Sequence, residues 1–149
     1  MTSIRPAAVA GMFYPAAPRE LARDVDDMLA QSAGGGLVPC FPKSLIVPHA
    51  GYFYSGSVAA EAYDRLRPAR GIVRRVVLLG PCHRVPVRGL ALPDAAALDT
   101  PLGRVPIDRA AVESLAGMPQ VVVNSAVHAE EHALYVQLPF LQRVLGEFS

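Results

Sequence analysis

At 149 residues and 52% hydrophobic, the chain is long enough to bury one sizeable core, and no linker, repeat or low-complexity tail divides it. A formal net charge of +1 leaves no electrostatic footprint for nucleic acid, and Arg65, Arg67, Arg70, Arg74 and Arg75 read as a solvated turn. Cys40 and Cys82 make no disulfide framework, no apolar run spans a bilayer, and the N-terminus lacks a secretory layout, so the expectation is one cytoplasmic domain over residues 1–149.

Past Gly11 to Pro15, Leu21, Val25, Met28 and Leu29 recur at helical spacing behind Pro18, which predicts an amphipathic helix. Gly34-Gly35-Gly36 breaks the chain as a flexible loop. Leu45-Ile46-Val47 reads as a short strand closed by Pro48. Val58, Ala59, Ala62, Tyr63 and Leu66 predict a helix over 55–66, capped by Ser55 or Ser57. Val76-Val77-Leu78-Leu79 is uniformly apolar, as buried central strands of parallel sheets are. Leu90-Ala91-Leu92 is another strand, and a short helix over 108–115 leads to Val121-Val122-Val123. Leu134, Leu138, Leu141 and Leu145 mark a last helical stripe, which Pro139 perturbs or kinks. This alternation is an α/β order, with a mostly parallel sheet flanked by helices.

Two histidines follow apolar strands, His49 in Pro48-His49-Ala50-Gly51-Tyr52 and His83 in Gly80-Pro81-Cys82-His83. Strand ends at the edge of an open α/β sheet are where ligands and metals sit, and neutral imidazole is the commonest metal ligand. Each is otherwise a turn histidine bonded locally. Gly51 and Gly56 leave room for close backbone approach to a ligand, and the neighbouring aromatics, Tyr52 among them, can wall a pocket. Cys82 is either a soft ligand or a small buried hydrophobe.

His128-Ala129-Glu130-Glu131-His132 matches the inverted zinc-peptidase string H-x-x-E-H, in which two histidines share a helix face. A third downstream ligand is required, and only Glu147 offers one. The competing reading is a polar loop and helix start, with Glu130 and Glu131 at a helix N-terminus. No phosphate loop and no Gly-x-Ser-x-Gly elbow occurs.

Five separated motifs run nearly end to end: Ala10 to Pro15, Pro48 to Gly56, Leu79 to His83, Thr100-Pro101-Leu102-Gly103, and Glu131 to Leu141. In this order the chain resembles the Memo-like proteins, labelled in bacteria and archaea the B protein of the AmmeMemoRadiSam system. The resemblance implies an α/β fold related to the class III extradiol dioxygenases, which use non-heme iron. It implies His49 and His83 as metal ligands; Tyr52, Cys82, Glu131 and His132 are the candidate residues for a pocket beside them. The family's third ligand lies in its C-terminal half, so the chain corresponds to the N-terminal portion of that fold with an incomplete metal site. Ala133 and Tyr135 stand where the family has serine and glutamate, removing a carboxylate near the pocket, and Cys82 stands where it has serine.

The expected cofactor is therefore Fe(II), with Cu or Zn as alternatives, and the expected chemistry is at most dioxygenase-like oxidation of a small aromatic or similar substrate. Unpaired sheet edges point to a second copy or a partner chain that completes the sheet. The alternative is a non-catalytic interaction module that pairs with a C-terminal counterpart or with itself.

Overall fold

Leu21, Val25 and Leu29 project from one face of α1 (Pro18–Gln31), and all three are buried. Pro18 opens this helix where its missing N–H is not needed. A computed structural model describes residues 3–32 and 40–149; the Gly34-Gly35-Gly36 loop lies outside them. The apolar face of α1 packs on α2 (Tyr52–Asp64) and α5 (Leu138–Leu145), and these three helices form the floor of the core. Phe140 of α5 stacks on Tyr63 of α2, with ring centroids 5.2 Å apart.

Two helix boundaries differ from expectation. α2 begins after Gly51, three residues before the expected start, and Ser55 lies in its first turn with its hydroxyl donating to the Ala50 carbonyl. Gly56 faces α1, where a Cβ would lie 2.5 Å from Met28 Sδ, so this glycine serves helix packing rather than a ligand. Pro139 sits in the first turn of α5, after a 3-10 turn over Tyr135–Gln137, so it starts the helix instead of kinking it.

β1 (Ile4–Arg5) pairs in parallel with β3 (Ala97–Thr100), and β3 pairs antiparallel with β4 (Gly103–Pro106). The β3–β4 hairpin turns at Thr100-Pro101-Leu102-Gly103, where the Thr100 hydroxyl accepts the Leu102 N–H and Gly103 takes φ 119°. β2 (Leu90–Leu92) pairs in parallel with β5 (Val121–Val123). Between them, α3 (Arg109–Ala116) is capped by Asp108, which accepts the Ala111 N–H and pairs with Arg75. α4 (Ser125–His128) follows β5, capped by Asn124. The architecture is α/β with small, mostly parallel sheets.

Two expected strands are extended but belong to no sheet. In 45–47, Leu45 and Val47 turn inward while Ile46 is fully exposed. In 76–79, Val76 and Leu78 pack on the core while Val77 and Leu79 are each 75% exposed. Apolar composition made this run look buried on both faces. Its side chains do alternate as a strand's must, but nothing among the described residues covers the outer face.

Candidate metal centre

The two unpaired segments and one turn each end at a histidine. His49 closes the 44–48 segment just before α2, His83 follows the 76–82 segment, and His132 sits in the turn after α4. One ligand nitrogen from each lies within 4.8 Å of the others, so one ion can reach all three. The rings of His83 and His132 stack with centroids 4.4 Å apart, and His49 lies 5.3 Å from His83 and 5.9 Å from His132.

Local packing explains why three remote segments converge. At Gly80 an added Cβ would stand 3.1 Å from both Ala133 Cβ and Leu134 Cδ2, so the absence of a side chain lets the His83 segment close on the His132 turn. Gln137 clamps the third segment: its amide donates to the Pro48 and Ala133 carbonyls, and its side-chain oxygen accepts the Tyr63 hydroxyl. From the N-terminal side, Tyr52 N–H bonds to the Phe13 carbonyl, and the Phe13 ring stacks on His132 with centroids 4.2 Å apart.

Behind the histidines lies Glu131, only 3% exposed. Its Oε2 accepts the His83 backbone N–H, and its Oε1 accepts the backbone N–H groups of His132 and Ala133 and meets His83 Nδ1 at 2.8 Å. Burial pushes the Glu131 carboxyl up, but the hydrogen bonds from Ala133 and from the His83 backbone and ring override it and hold the group at about 2. A carboxylate on Nδ1 fixes the tautomer of His83 and leaves Nε2 as the donor atom. Burial lowers the His132 pKa, against the opposing pull of Glu131, and favours the neutral imidazole a metal requires.

Three imidazoles backed by one buried carboxylate fit a borderline divalent ion such as Fe(II), Zn(II) or Cu(II). Of the expected site residues, His49, His83, His132 and Glu131 converge. Cys82 is exposed and stands outside the triad. The Tyr52 hydroxyl donates to the Val136 carbonyl, and its ring packs between Tyr14 and Phe140. Tyr135 is buried beneath Arg5, whose guanidinium lies 4.3 Å over its ring and donates to the Glu131 carbonyl.

His128 and His132 do not share a helix face. α4 ends at His128, and the buried His128 ring meets the Ala91 carbonyl at 3.0 Å, away from the triad. The H-x-x-E-H string is thus split between a structural histidine and a site histidine. Phe13 was missed as a site residue; only its place in the Gly-Met-Phe-Tyr-Pro motif signalled it.

An α/β protein with a histidine cluster at the mouth of unpaired strands is the class that fold and site define. The family pattern described as Memo-like protein matches residues 5–149, and the chain belongs to that family. It is similar to a MEMO1 family protein of Ignicoccus hospitalis, at 40% identity over 97% of this chain and 53% of that protein. It is equally similar to one of Methanopyrus kandleri, at 40% identity over 96% of this chain and 53% of the relative. A third, of Aquifex aeolicus, is 39% identical over 94% of this chain and 50% of that protein. The chain spans about half the length of these curated relatives. Among the described residues, no helix is long and apolar enough to cross a membrane.

Proposed function

We propose that this chain is a metal-binding member of the Memo-like family, with His49, His83 and His132 as ligands and Fe(II) as the favoured ion ahead of Cu or Zn. The observation that carries this reading is the approach of three imidazole nitrogens to within 4.8 Å of one another. Three protein ligands leave the remaining positions open, which fits an open catalytic site, non-heme iron or catalytic zinc, rather than a closed structural zinc site. When bound, such an ion supplies dioxygen-dependent redox chemistry on a small substrate, in keeping with the relation to extradiol dioxygenases, the AmmeMemoRadiSam B role and the cytoplasmic setting expected from the sequence.

The chain's own residues supply orientation. Glu131 fixes His83 and draws His132 and Ala133 into the turn, while Phe13 holds the flat face of His132. His83 stands exposed at the entrance and leaves an approach for substrate.

The test is elemental analysis of anaerobically purified protein beside single alanine variants of His49, His83, His132 and His128. Near-stoichiometric metal that is lost in the first three and kept in His128→Ala is the expected pattern. Metal retained in the His49→Ala/His83→Ala double variant would remove the assignment.

A further inference from the structure

Arg5 is 9% exposed and Tyr14 is 4% exposed, and each carries a buried polar atom with no hydrogen-bond partner among the described residues: Arg5 Nε and the Tyr14 hydroxyl. Orphans of this kind are rare in native interiors, and each points to a water or ion that the group holds. Separate elements deliver the two side chains. Arg5 ends β1, in register with Leu98 of β3, and its side chain turns inward while Ile4 faces out. Tyr14 closes the turn after Val9, where its carbonyl accepts the Gly11 N–H and Gly11 takes φ 81°. Burial pushes the Tyr14 phenol up and the nearby Arg5 charge pulls it down; burial prevails, so the hydroxyl keeps its proton to donate.

The Arg5 charge has no anionic partner in contact. Among the described residues, its guanidinium donates only to the Glu131 backbone carbonyl, at 3.1 Å, while the Tyr135 ring covers one face at 4.3 Å. A ring under that face cannot take the Nε hydrogen, because the guanidinium hydrogens point outward in its plane. The carboxylates whose charge reaches this cluster are committed elsewhere, Glu131 to His83, His132 and Ala133, and Asp99 to Arg104. Buried charges are ordinarily paired, since an unpaired one is costly to remove from water.

We propose that Arg5 and Tyr14 form an internal site for a small monovalent anion of chloride size, held by the Arg5 Nε–H and the Tyr14 O–H. Both orphaned groups present hydrogens in a positive field, which favours an anion over water. A water that accepted both hydrogens would still have two of its own to place. Neither atom is open to solvent, which suits a monatomic ion better than phosphate or sulfate. The bound ion neutralises the charge that Arg5 brings against the Glu131 carbonyl, and it ties β1 to the turn bearing Tyr14. An ion that binds only the folded chain adds to its stability. The site stands without the metal reading, so the metal-free protein tests it.

The experiment is urea unfolding of chelator-treated protein as sodium chloride replaces sodium gluconate at fixed ionic strength, which holds screening constant. Tyr14→Phe keeps the ring against Tyr52, removes only the donor, and reports the background effect of each salt. Relative to that variant, the folding equilibrium constant of the parent should rise saturably with chloride. The rise should reach about tenfold once chloride stands at about ten times its dissociation constant. The same salt response in parent and Tyr14→Phe would overturn the proposal. So would a variant at least as stable as the parent in chloride, because removing a hydroxyl that holds nothing costs nothing. A second measurement needs no variant and so survives misfolding of Tyr14→Phe. Crystals of the parent grown in sodium bromide should show an anomalous peak within hydrogen-bond reach of both Arg5 Nε and the Tyr14 hydroxyl. A bridging peak without anomalous signal would be water, and no peak would mean no ion; either would remove the site.

Discussion

Glu131 grips His83 at both ends, with Oε2 2.6 Å from the backbone nitrogen and Oε1 2.8 Å from ring Nδ1. The residues are 48 positions apart, so this one carboxylate joins the unpaired 76–82 segment to the turn bearing His132. Ring orientation and backbone position are fixed together, which a lone side-chain contact would not achieve.

Replacing Glu131 with glutamine keeps the shape but presents an amide where the two carboxylate oxygens together received four hydrogens. Metal affinity should fall about 10- to 100-fold, as when such carboxylate–histidine pairs are broken. Titration with a competing chelator measures this directly. Glu131→Ala should in addition lose about 2–4 kcal/mol in urea unfolding of the metal-free protein, because three backbone N–H groups, that of Ala133 buried and those of His83 and His132 partly so, lose their acceptor. An affinity unchanged in Glu131→Gln would show that His83 is not oriented through this bond.

Gly80 tests the convergence itself. A methyl group there meets Ala133 and Leu134 at 3.1 Å, so Gly80→Ala should cost about 1–3 kcal/mol through overpacking. It should also separate His83 from His132 and weaken metal binding by more than the stability loss explains. Gly71→Ala is not a neutral control, since Gly71 has φ +71°. Gly117→Ala is the better one: nothing lies within 4 Å of its added carbon, and its φ is −83°. Equal effects at positions 80 and 117 would refute the packing argument.

Much of this architecture is legible in the residues. The stripes of α1 and α5, the Asp108-capped helix and the β2 and β5 runs are local patterns, and each forms about where its periodicity places it. What local pattern cannot carry is partnership. Residues 45–47 and 76–79 are strand-like in composition, yet they enter no sheet among the described residues, and composition does not name a partner. The β3–β4 hairpin was visible only as a Thr-Pro-Leu-Gly motif, because its turn chemistry lacks an Asn-Gly or Asp-Gly signal. His132 was expected as a pocket residue, without its place beside His49 and His83, for a similar reason. Its helical spacing from His128 suggested a pair, whereas its true neighbours are His49 and His83, brought in by the close approach at Gly80.

Gln137 is a buried polar bracket between helix and site. Its side chain makes three hydrogen bonds, to Tyr63, Pro48 and Ala133, and every one is internal to the core or its margin. Gln137→Leu should cost about 2–4 kcal/mol, since the Tyr63 hydroxyl and the Pro48 carbonyl then lose a buried partner. In the Tyr63→Phe/Gln137→Leu double variant the loss should be smaller than the sum of the two single losses, because both remove the same bond. Urea unfolding of the four proteins completes the cycle, and simple additivity would deny the coupling.

His128 makes the stability of the metal-free protein depend on pH. Burial lowers its pKa below the usual 6.5, although the bond to the Ala91 carbonyl works in the opposite direction. As pH falls through the unfolded value, the unfolded chain takes up a proton that the folded chain resists, so the unfolded state is favoured. The stabilisation is full above that value and drains away as pH drops toward the lower folded pKa. His132 shifts in the same direction and adds to the slope. Unfolding free energy of chelator-treated protein should therefore decline between about pH 7.5 and 5.5. His128→Gln, whose amide can still donate to Ala91, should shrink that decline without abolishing it, because His132 still titrates. A variant as pH-sensitive as the parent would mean that the His128 ring accepts its proton in the folded state as readily as in the unfolded chain.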